Sequence, residues 1–568
     1  MSTVTIQHPT IGEVVGREVD GVHQFLGVQY ATLENRLAES KVKTAYPSGG
    51  SVDATRHGPS SYYPPTAFDN EMSFIQQTIP KPTVAHSDLE CLNLNITVPK
   101  TTGNSTGKKL PVFVWIHGGG FILGANSWPH YDHAKLVKLA SERGVPVIGV
   151  GINFRLGFAG LLTSEELRSK GYKTNNQLRD QRNAFEWVRK YISGFGGDPD
   201  NITAIAESAG AVLTEFDLNL LVATTLHLYS KEKVYNRAIA TGGSCLLVPP
   251  CGPDAYERVY QQVLGALGLD SLSSADERIE KLLSMPADEV IAKIPPFVQF
   301  IPMVDGDMVP VKPSYAAIAD PNDESMPGKR WADGLMIGDS QFDASVFGFM
   351  LGFLKPNIRQ TFSKSIRNSF SSKPQVAETL LESYGFTGSP AAEGTDDDDV
   401  AFMNFLQLAT DIGYYAATTS FVRGWPESGA GAGASKCYTF CFNEPNPWPG
   451  PFQGKATHVL DVAFLFQNYN DKLGPEQKAA AEGFGLDFMK FVAGQDPWPN
   501  STAAHRTAKV FGPSNNKGGG DAVAVTKIVD NAEESPEEMG RKKTILDLGK
   551  EVGFDMIAQA MRNFQMGK

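Results

Sequence analysis

Short apolar runs recur along the chain, each ending in glycine or a small polar residue and each followed by a stretch of helical periodicity. They cover residues 111 to 116, 145 to 153, 202 to 207, 237 to 242 and 334 to 339, with a further strand-like run at 437 to 442. Runs this short and continuous, bounded by turn residues, predict buried strands. Helical spacing of apolar residues is clear at 180 to 188, 256 to 267 and 476 to 493. Alternation of the two predicts an α/β fold, with a central, mostly parallel sheet flanked by helices. In such sheets the chemistry gathers where strands end.

Between about 344 and 430 the pattern is helix-rich and lacks strands, which predicts a cap built over one end of the sheet. Polar breaks at Gly388 to Asp399, at Gly429 to Ser435 and at Gly518 to Gly520 read as solvated loops; the first contains four consecutive aspartates. No internal repeat is visible. Large α/β enzymes often stay in one compact unit, so residues 1 to 568 are expected to form a single domain.

One strand end carries the clearest chemistry. After Asn201-Ile202-Thr203-Ala204-Ile205 the chain reads Ala206-Glu207-Ser208-Ala209-Gly210. A buried strand breaking into a helix through small residues around one serine is the layout of a nucleophile elbow, although Ala206 stands where the G-x-S-x-G template has glycine. Upstream, Pro111-Val112-Phe113-Val114-Trp115-Ile116 runs into His117-Gly118-Gly119-Gly120-Phe121. Glycines after a strand leave backbone N–H groups able to converge on one spot, which suits a developing oxyanion. The two segments together carry much more weight than either alone.

A serine hydroxyl needs a histidine to take its proton and a carboxylate to orient that histidine, in the chain order Ser, acid, His for α/β-hydrolases. Beyond His227, which lies close behind the elbow, only His458 and His505 follow Ser208. His505 sits in a polar stretch that reads as exposed, whereas His458 follows the 437 to 442 strand and a proline-rich loop, so His458 is the candidate base. For the acid, Leu335-Met336-Ile337-Gly338-Asp339-Ser340-Gln341-Phe342-Asp343 offers two carboxylates, Asp339 and Asp343, which local pattern does not separate.

Composition narrows the function classes. The formal charge is −12 and no basic cluster occurs, which argues against nucleic acid or an anionic membrane as partner. The longest apolar stretches, such as Val346 to Leu354, are about half a membrane span. The first residues show no positive patch followed by an apolar core, so no secretory signal is expected. Five cysteines, few and odd in number, fit a reducing compartment, and the expected location is cytoplasmic. Cys245 and Cys251 could close a small loop on oxidation, and no cysteine has a metal-site pattern around it. Two formal glycosylation sequons, at Asn104 and Asn500, carry no weight without an export route.

At this point the chain resembles the type-B carboxylesterase/lipase family, which also contains the cholinesterases. The likeness runs through Phe25-Leu26-Gly27-Val28-Gln29-Tyr30-Ala31, Asp88-Leu89-Glu90-Cys91-Leu92-Asn93-Leu94-Asn95, the His117 glycine loop, Asn153-Phe154-Arg155-Leu156-Gly157 and Asp180-Gln181-Arg182. It continues in Phe195-Gly196-Gly197-Asp198-Pro199, Glu207-Ser208-Ala209-Gly210, Val304-Asp305-Gly306-Asp307 and the His458 loop. The resemblance implies the α/β-hydrolase fold, a catalytic Ser208–His458 pair with Asp343 as the acid, and an oxyanion hole of the Gly119, Gly120 and Ala209 amides. Glu207 matches a family glutamate lying near the histidine. No metal or organic cofactor is implied, and the partner is a small-molecule ester. Phe121, Trp128 and Phe347, with Glu207, are candidates to border the substrate pocket.

Three departures qualify the likeness. Ala206 replaces the family glycine, a tolerable extra methyl. Cys91 has a disulfide partner in the family, but the matching loop Gly58-Pro59-Ser60-Ser61-Tyr62 has no cysteine. Residues near Val212 to Val222 look like an insertion behind the elbow, either a natural extension or a mis-spliced segment. The expected function is serine carboxylic-ester hydrolysis of a small to medium, largely apolar ester through an acyl-enzyme. The alternatives are an acyltransferase or lactone-forming enzyme with the same triad, and a catalytically silent cholinesterase-like binding protein.

Overall fold

The computed structural model describes residues 2–46, 50–100, 107–208, 223–247, 249–348, 350–388, 397–426, 435–514, 526–530 and 536–567. A 13-stranded sheet forms its spine. In spatial order the strands are Thr3–His8, Gly12–Val19, Val22–Gln29, Asn93–Pro99, Ile148–Ile152, Leu110–Ile116, Gly197–Glu207, Arg237–Thr241, Gly334–Ser340, Lys436–Phe442, Thr507–Phe511 and Thr526–Asp530, with Ser51–Asp53 beside Gly12–Val19. Every pairing from Ile148–Ile152 across to Thr507–Phe511 is parallel. Thr3–His8, Gly12–Val19, Val22–Gln29, Asn93–Pro99 and the last strand pair antiparallel, while Ser51–Asp53 lies parallel to Gly12–Val19. This is the doubly covered, mostly parallel sheet of the α/β-hydrolase fold.

Side-chain alternation divides the core between the two faces, because successive residues of a strand point to opposite sides. Val112, Val114 and Ile116 join one cluster with Ala204, Ala206, Ala238, Ala240, Leu335 and Ile337. Their neighbours Phe113 and Trp115 join the other with Ile205, Ile239 and Met336. Burial on both faces is why these segments are apolar throughout. The periodic helices appear as Asn176–Tyr191, Pro253–Leu267 and Pro475–Val492. Asn176–Tyr191 is pinned by Asp180, whose carboxylate accepts from Arg155 Nε at 2.8 Å and Nη2 at 2.7 Å, both side chains being fully buried.

After Gly334–Ser340 the described chain is helical: Ser345–Gly348, Ile358–Ser369, Pro374–Ser383, Asp397–Thr410, a π-helical turn at Asp411–Tyr415, and Ala416–Gly424. One expectation is corrected here. The described aspartates, Asp397 to Asp399, are not loop but the first turn of the Asp397–Thr410 helix. Negative charge is favourable at a helix N-terminus, and these side chains are also used: Asp397 accepts two bonds from Arg359 at 2.7 Å, Asp398 accepts from the Asn357 N–H at 2.9 Å, and Asp399 pairs with Lys355. The Gly518 to Gly520 break lies outside the described residues, as does Gly429 to Ala434. No helix among the described residues is long and apolar enough to cross a membrane. All five cysteines are free thiols, Cys245 and Cys251 included.

Candidate active site

The strand Gly197–Glu207 runs at the middle of the parallel region and delivers Glu207 and Ser208 to its carboxyl end. Ser208 has φ 31°, inside the left-handed region that a non-glycine residue adopts only under constraint. Its N–H donates to the carbonyl of Thr241, 3.2 Å away at the end of the neighbouring strand. Ala206 is fully buried in the strand, so its extra methyl is absorbed by the core. Ala209 and the segment Val212 to Val222 lie outside the described residues.

Beside the elbow, the glycine loop leaves the strand Leu110–Ile116. Gly119 (φ 108°) and Gly120 (φ 65°) are both left-handed. A Cβ at Gly119 would sit 2.1 Å from the Leu123 carbonyl oxygen, so only glycine fits this turn. A Cβ at Gly118 would fall 2.2 Å from Oε2 of Glu207, which shows how tightly the loop packs on the residue before Ser208. His117 is buried, stacked on Phe154 with ring centroids 4.4 Å apart and with Nδ1 2.8 Å from the Gly118 carbonyl oxygen. Burial pushes its pKa down to about 4, so it is a neutral wedge under the loop.

His458 arrives from the far side. The Phe342 N–H donates to the Ala456 carbonyl at 2.8 Å and the His458 N–H donates to Ser345 Oγ at 3.0 Å, which ties the histidine loop to the segment carrying Asp343. Nδ1 of His458 lies 2.7 Å from Oδ1 of Asp343, and Oδ2 of Asp343 accepts from the Ser340 N–H at 2.7 Å. Asp339 stays within the strand Gly334–Ser340, so the two carboxylates left open by local pattern occupy different environments. Val459, immediately after the histidine, has φ 66°, an outlier for a β-branched residue and a mark of strain beside His458.

Carboxylates crowd this imidazole. Oε1 of Glu207 lies 3.1 Å from Nε2 of His458, although the approach is not angled for a hydrogen bond. Burial, and then the charges of Glu71, Asp461 and Asp343, hold the Glu207 carboxyl well above the ordinary carboxylate range. Asp461, one turn beyond His458, accepts from Thr241 Oγ1, and burial with the neighbouring Asp343 pushes its pKa up to about 6. Behind the glycine loop, Glu71 accepts from Tyr131 and from His130 Nε2 at 3.0 Å, all three being buried. Sequence reading passed over Glu71, Tyr131, Asp461 and Tyr414; the available signal for Asp461 was a charged residue inside the apolar run that follows His458.

The aromatic candidates separate. Phe121 (φ 62°) and Phe347 are buried in the same core cluster. Trp128 is buried in the cluster on the other face of the sheet, against Phe68 and Tyr63, where its Nε1–H donates to the Tyr63 hydroxyl at 3.2 Å. Adjoining the glycine loop is an apolar cavity of about 80 Å³ whose walls include Ile122, Phe158, Val298 and Phe300.

A family model described as the carboxylesterase family matches residues 2–506. The chain belongs to the carboxylesterase family. This carboxylesterase is 28% identical over 489 residues to lipase 3 of Yarrowia lipolytica, covering 85% of this chain and 88% of that one. It is 29% identical over 494 residues to the para-nitrobenzyl esterase of Bacillus subtilis, covering 84% and 85%. A shorter match, 31% over 329 residues and covering 54% and 52%, is to a Byssochlamys spectabilis protein named an inactive carboxylesterase-like protein. Among solved structures, the Geobacillus stearothermophilus carboxylesterase superposes with a TM-score of 0.66 at 23% identity, covering 95% of this chain and 99% of that one, a likeness of fold. The enzyme class is therefore a carboxylesterase-type hydrolase.

Proposed function

We propose that the carboxylesterase is a serine hydrolase that cleaves small to medium, largely apolar carboxylic esters through an acyl-enzyme. The observation that carries this reading is the buried 2.7 Å contact between Asp343 and His458, formed beside the strained Ser208 at the strand end. Ser208 Oγ attacks the ester carbonyl carbon while Nε2 of His458 takes its proton. Asp343 holds Nδ1–H and stabilises the imidazolium that forms. The amides of Gly119, Gly120 and Ala209 donate to the tetrahedral oxyanion. Collapse breaks the ester C–O bond, His458 returns the proton to the leaving alcohol, and the acyl group stays on Ser208. Water then attacks the acyl carbon, His458 takes its proton, and the acid leaves as Ser208 is restored.

Domain organisation and compartment follow the same reading. Residues 1 to 568 act as one catalytic domain, with the helices after Asp343 as a cap over the strand ends. Five free thiols support a reducing, cytoplasmic setting, although one relative, from Gibberella zeae, is named a secreted triacylglycerol lipase. A silent binding protein is the second reading, favoured by the match to the inactive relative and opposed by the presence of serine, histidine and acid together. A fluorophosphonate probe decides between them: labelling of wild type and none of Ser208→Ala supports hydrolysis, while unlabelled, folded wild type sinks it. Chromogenic esters of rising acyl length, assayed with and without competing alcohols, then set chain preference and separate hydrolysis from acyl transfer.

A further inference from the structure

Tyr414 belongs to no part of the mechanism above, yet it stands inside the same buried cluster. Its ring meets the His458 imidazole edge-on, with centroids 6.1 Å apart at 64°, and its side chain is 1% exposed. It is presented by the π-helical turn Asp411–Tyr415. Such turns are rare and recur at functional sites. This one is locked from outside: the buried Asp411 accepts from the Tyr384 hydroxyl at 2.7 Å and pairs with Arg541 of the C-terminal region.

Hydrogen-bond accounting shows one carboxyl oxygen of the cluster with no hydrogen-bond partner among the described residues. Around His458, Asp343 uses Oδ1 for Nδ1 and Oδ2 for the Ser340 N–H. Asp461 uses Oδ2 for Thr241 Oγ1 and Oδ1 for the Val462 N–H. Tyr414 Oη, Glu207 Oε1 and His458 Nε2 are among the buried atoms with no hydrogen-bond partner among the described residues. Buried polar atoms left without partners are costly, and a group of them in one site calls for a functional explanation. The phenol's pKa is held well above its ordinary value by burial and by Asp343, Glu207 and Asp461, so it is a neutral O–H donor in the field of these acidic side chains.

Resting on the hydrolase reading, we propose that Tyr414 is a positioning residue whose hydroxyl donates to Oε1 of Glu207 through one bridging water and turns that carboxyl group away from Nε2 of His458. Glu207 otherwise lies 3.1 Å from the nitrogen that Ser208 needs. With Glu207 held by Tyr414, Nε2 is released to accept the Ser208 proton. Without the hydroxyl, the neutral Glu207 carboxyl donates its O–H to Nε2 in place of Ser208.

The test is Tyr414→Phe, which keeps the ring against His458 and removes only the O–H. The expected result is a kcat lower by on the order of 10-fold, the scale of one hydrogen bond, with KM unchanged within about 2-fold. In a Glu207→Ala background the same change should cost less than about 2-fold, because the group through which Tyr414 acts is gone. A kcat equal to wild type, or the same fold loss in both backgrounds, overturns the proposal. A second measurement is independent of turnover: imidazole ¹⁵N resonances of His458 in Ser208→Ala. They should move on adding Tyr414→Phe and stay put when Glu207→Ala is already present; unchanged resonances in both cases also overturn it. Failure of wild type to take the fluorophosphonate probe would remove the hydrolase reading, and the resonances would still decide whether Tyr414 acts on His458 through Glu207.

Discussion

Gly242 lies one residue beyond the strand Arg237–Thr241 and faces the candidate base. Its φ is +64°, and a Cβ built there would sit 2.9 Å from His458 Cε1, 3.3 Å from His458 Nδ1 and 3.3 Å from Glu207 Oε1. Ordinary contact begins at 3.4 Å, so Gly242→Ala drives a methyl about half an ångström into the imidazole. That histidine is held by Asp343 and by Ser345, so it cannot swing away without losing a hydrogen bond. Two costs should appear. The left-handed backbone costs alanine roughly 1–2 kcal/mol of stability, and displacing the base by a fraction of an ångström should lower kcat by about 10- to 100-fold. Gly268→Ala separates the two. Gly268 has φ +70°, but nothing lies within 4 Å of its Cβ position, so it should show the stability loss alone. The assay pairs thermal melts with kcat on a chromogenic ester for both variants. Full activity of Gly242→Ala, or equal kcat losses in both, would refute the placement of His458 as the base.

Asp343→Asn should leave the fold intact and lower kcat by about 10³- to 10⁴-fold, since the amide favours the wrong imidazole tautomer; a loss under tenfold, with melting unchanged, would argue for a different acid. Arg155→Leu strands the buried Asp180 carboxylate, which also accepts from Ser40 Oγ at 2.6 Å, and should cost about 3–5 kcal/mol, read as loss of soluble protein or a large drop in Tm. Asp461 carries a pH signature: its pKa rises from 3.8 to about 6 on folding, so the folded state binds its proton more tightly and stability from this group falls as pH rises through that window. Asp461→Asn has no such proton, so relative to wild type it should gain up to about 3 kcal/mol between about pH 4 and about pH 7. Melts across that range check this, and a difference independent of pH would refute it.

The sheet was legible because its parallel strands are buried on both faces. Val112 to Ile116 must be apolar at every position, and such runs stand out without any knowledge of neighbours. The N-terminal strands Thr3–His8 and Gly12–Val19 went unread because they are partly exposed and carry polar residues at many positions. The aspartate run was misread for a related reason: consecutive charges look like solvent, and only the partners Arg359 and Lys355 on a distant segment explain a helix start there.

The site divides along the same line. The residues around Ser208 and the glycine loop are local constraints, since a tight elbow and a left-handed loop each demand small residues at fixed spacing, and one chain segment contains all the information. Sequence therefore determined the fold class, and it proposed the serine, the glycine loop and His458 in preference to His505, which is exposed. Local pattern alone left Asp339 and Asp343 level, and likeness to the family pointed to the second. What only the tertiary structure decided is the company that histidine keeps: Glu207, Asp461, Thr241 and Tyr414 come from four separate elements, and Glu71 with Tyr131 from two more. Their effect is electrostatic and depends on distance and burial, quantities that exist only once strand ends, the π-helical turn and the histidine loop meet in one buried volume.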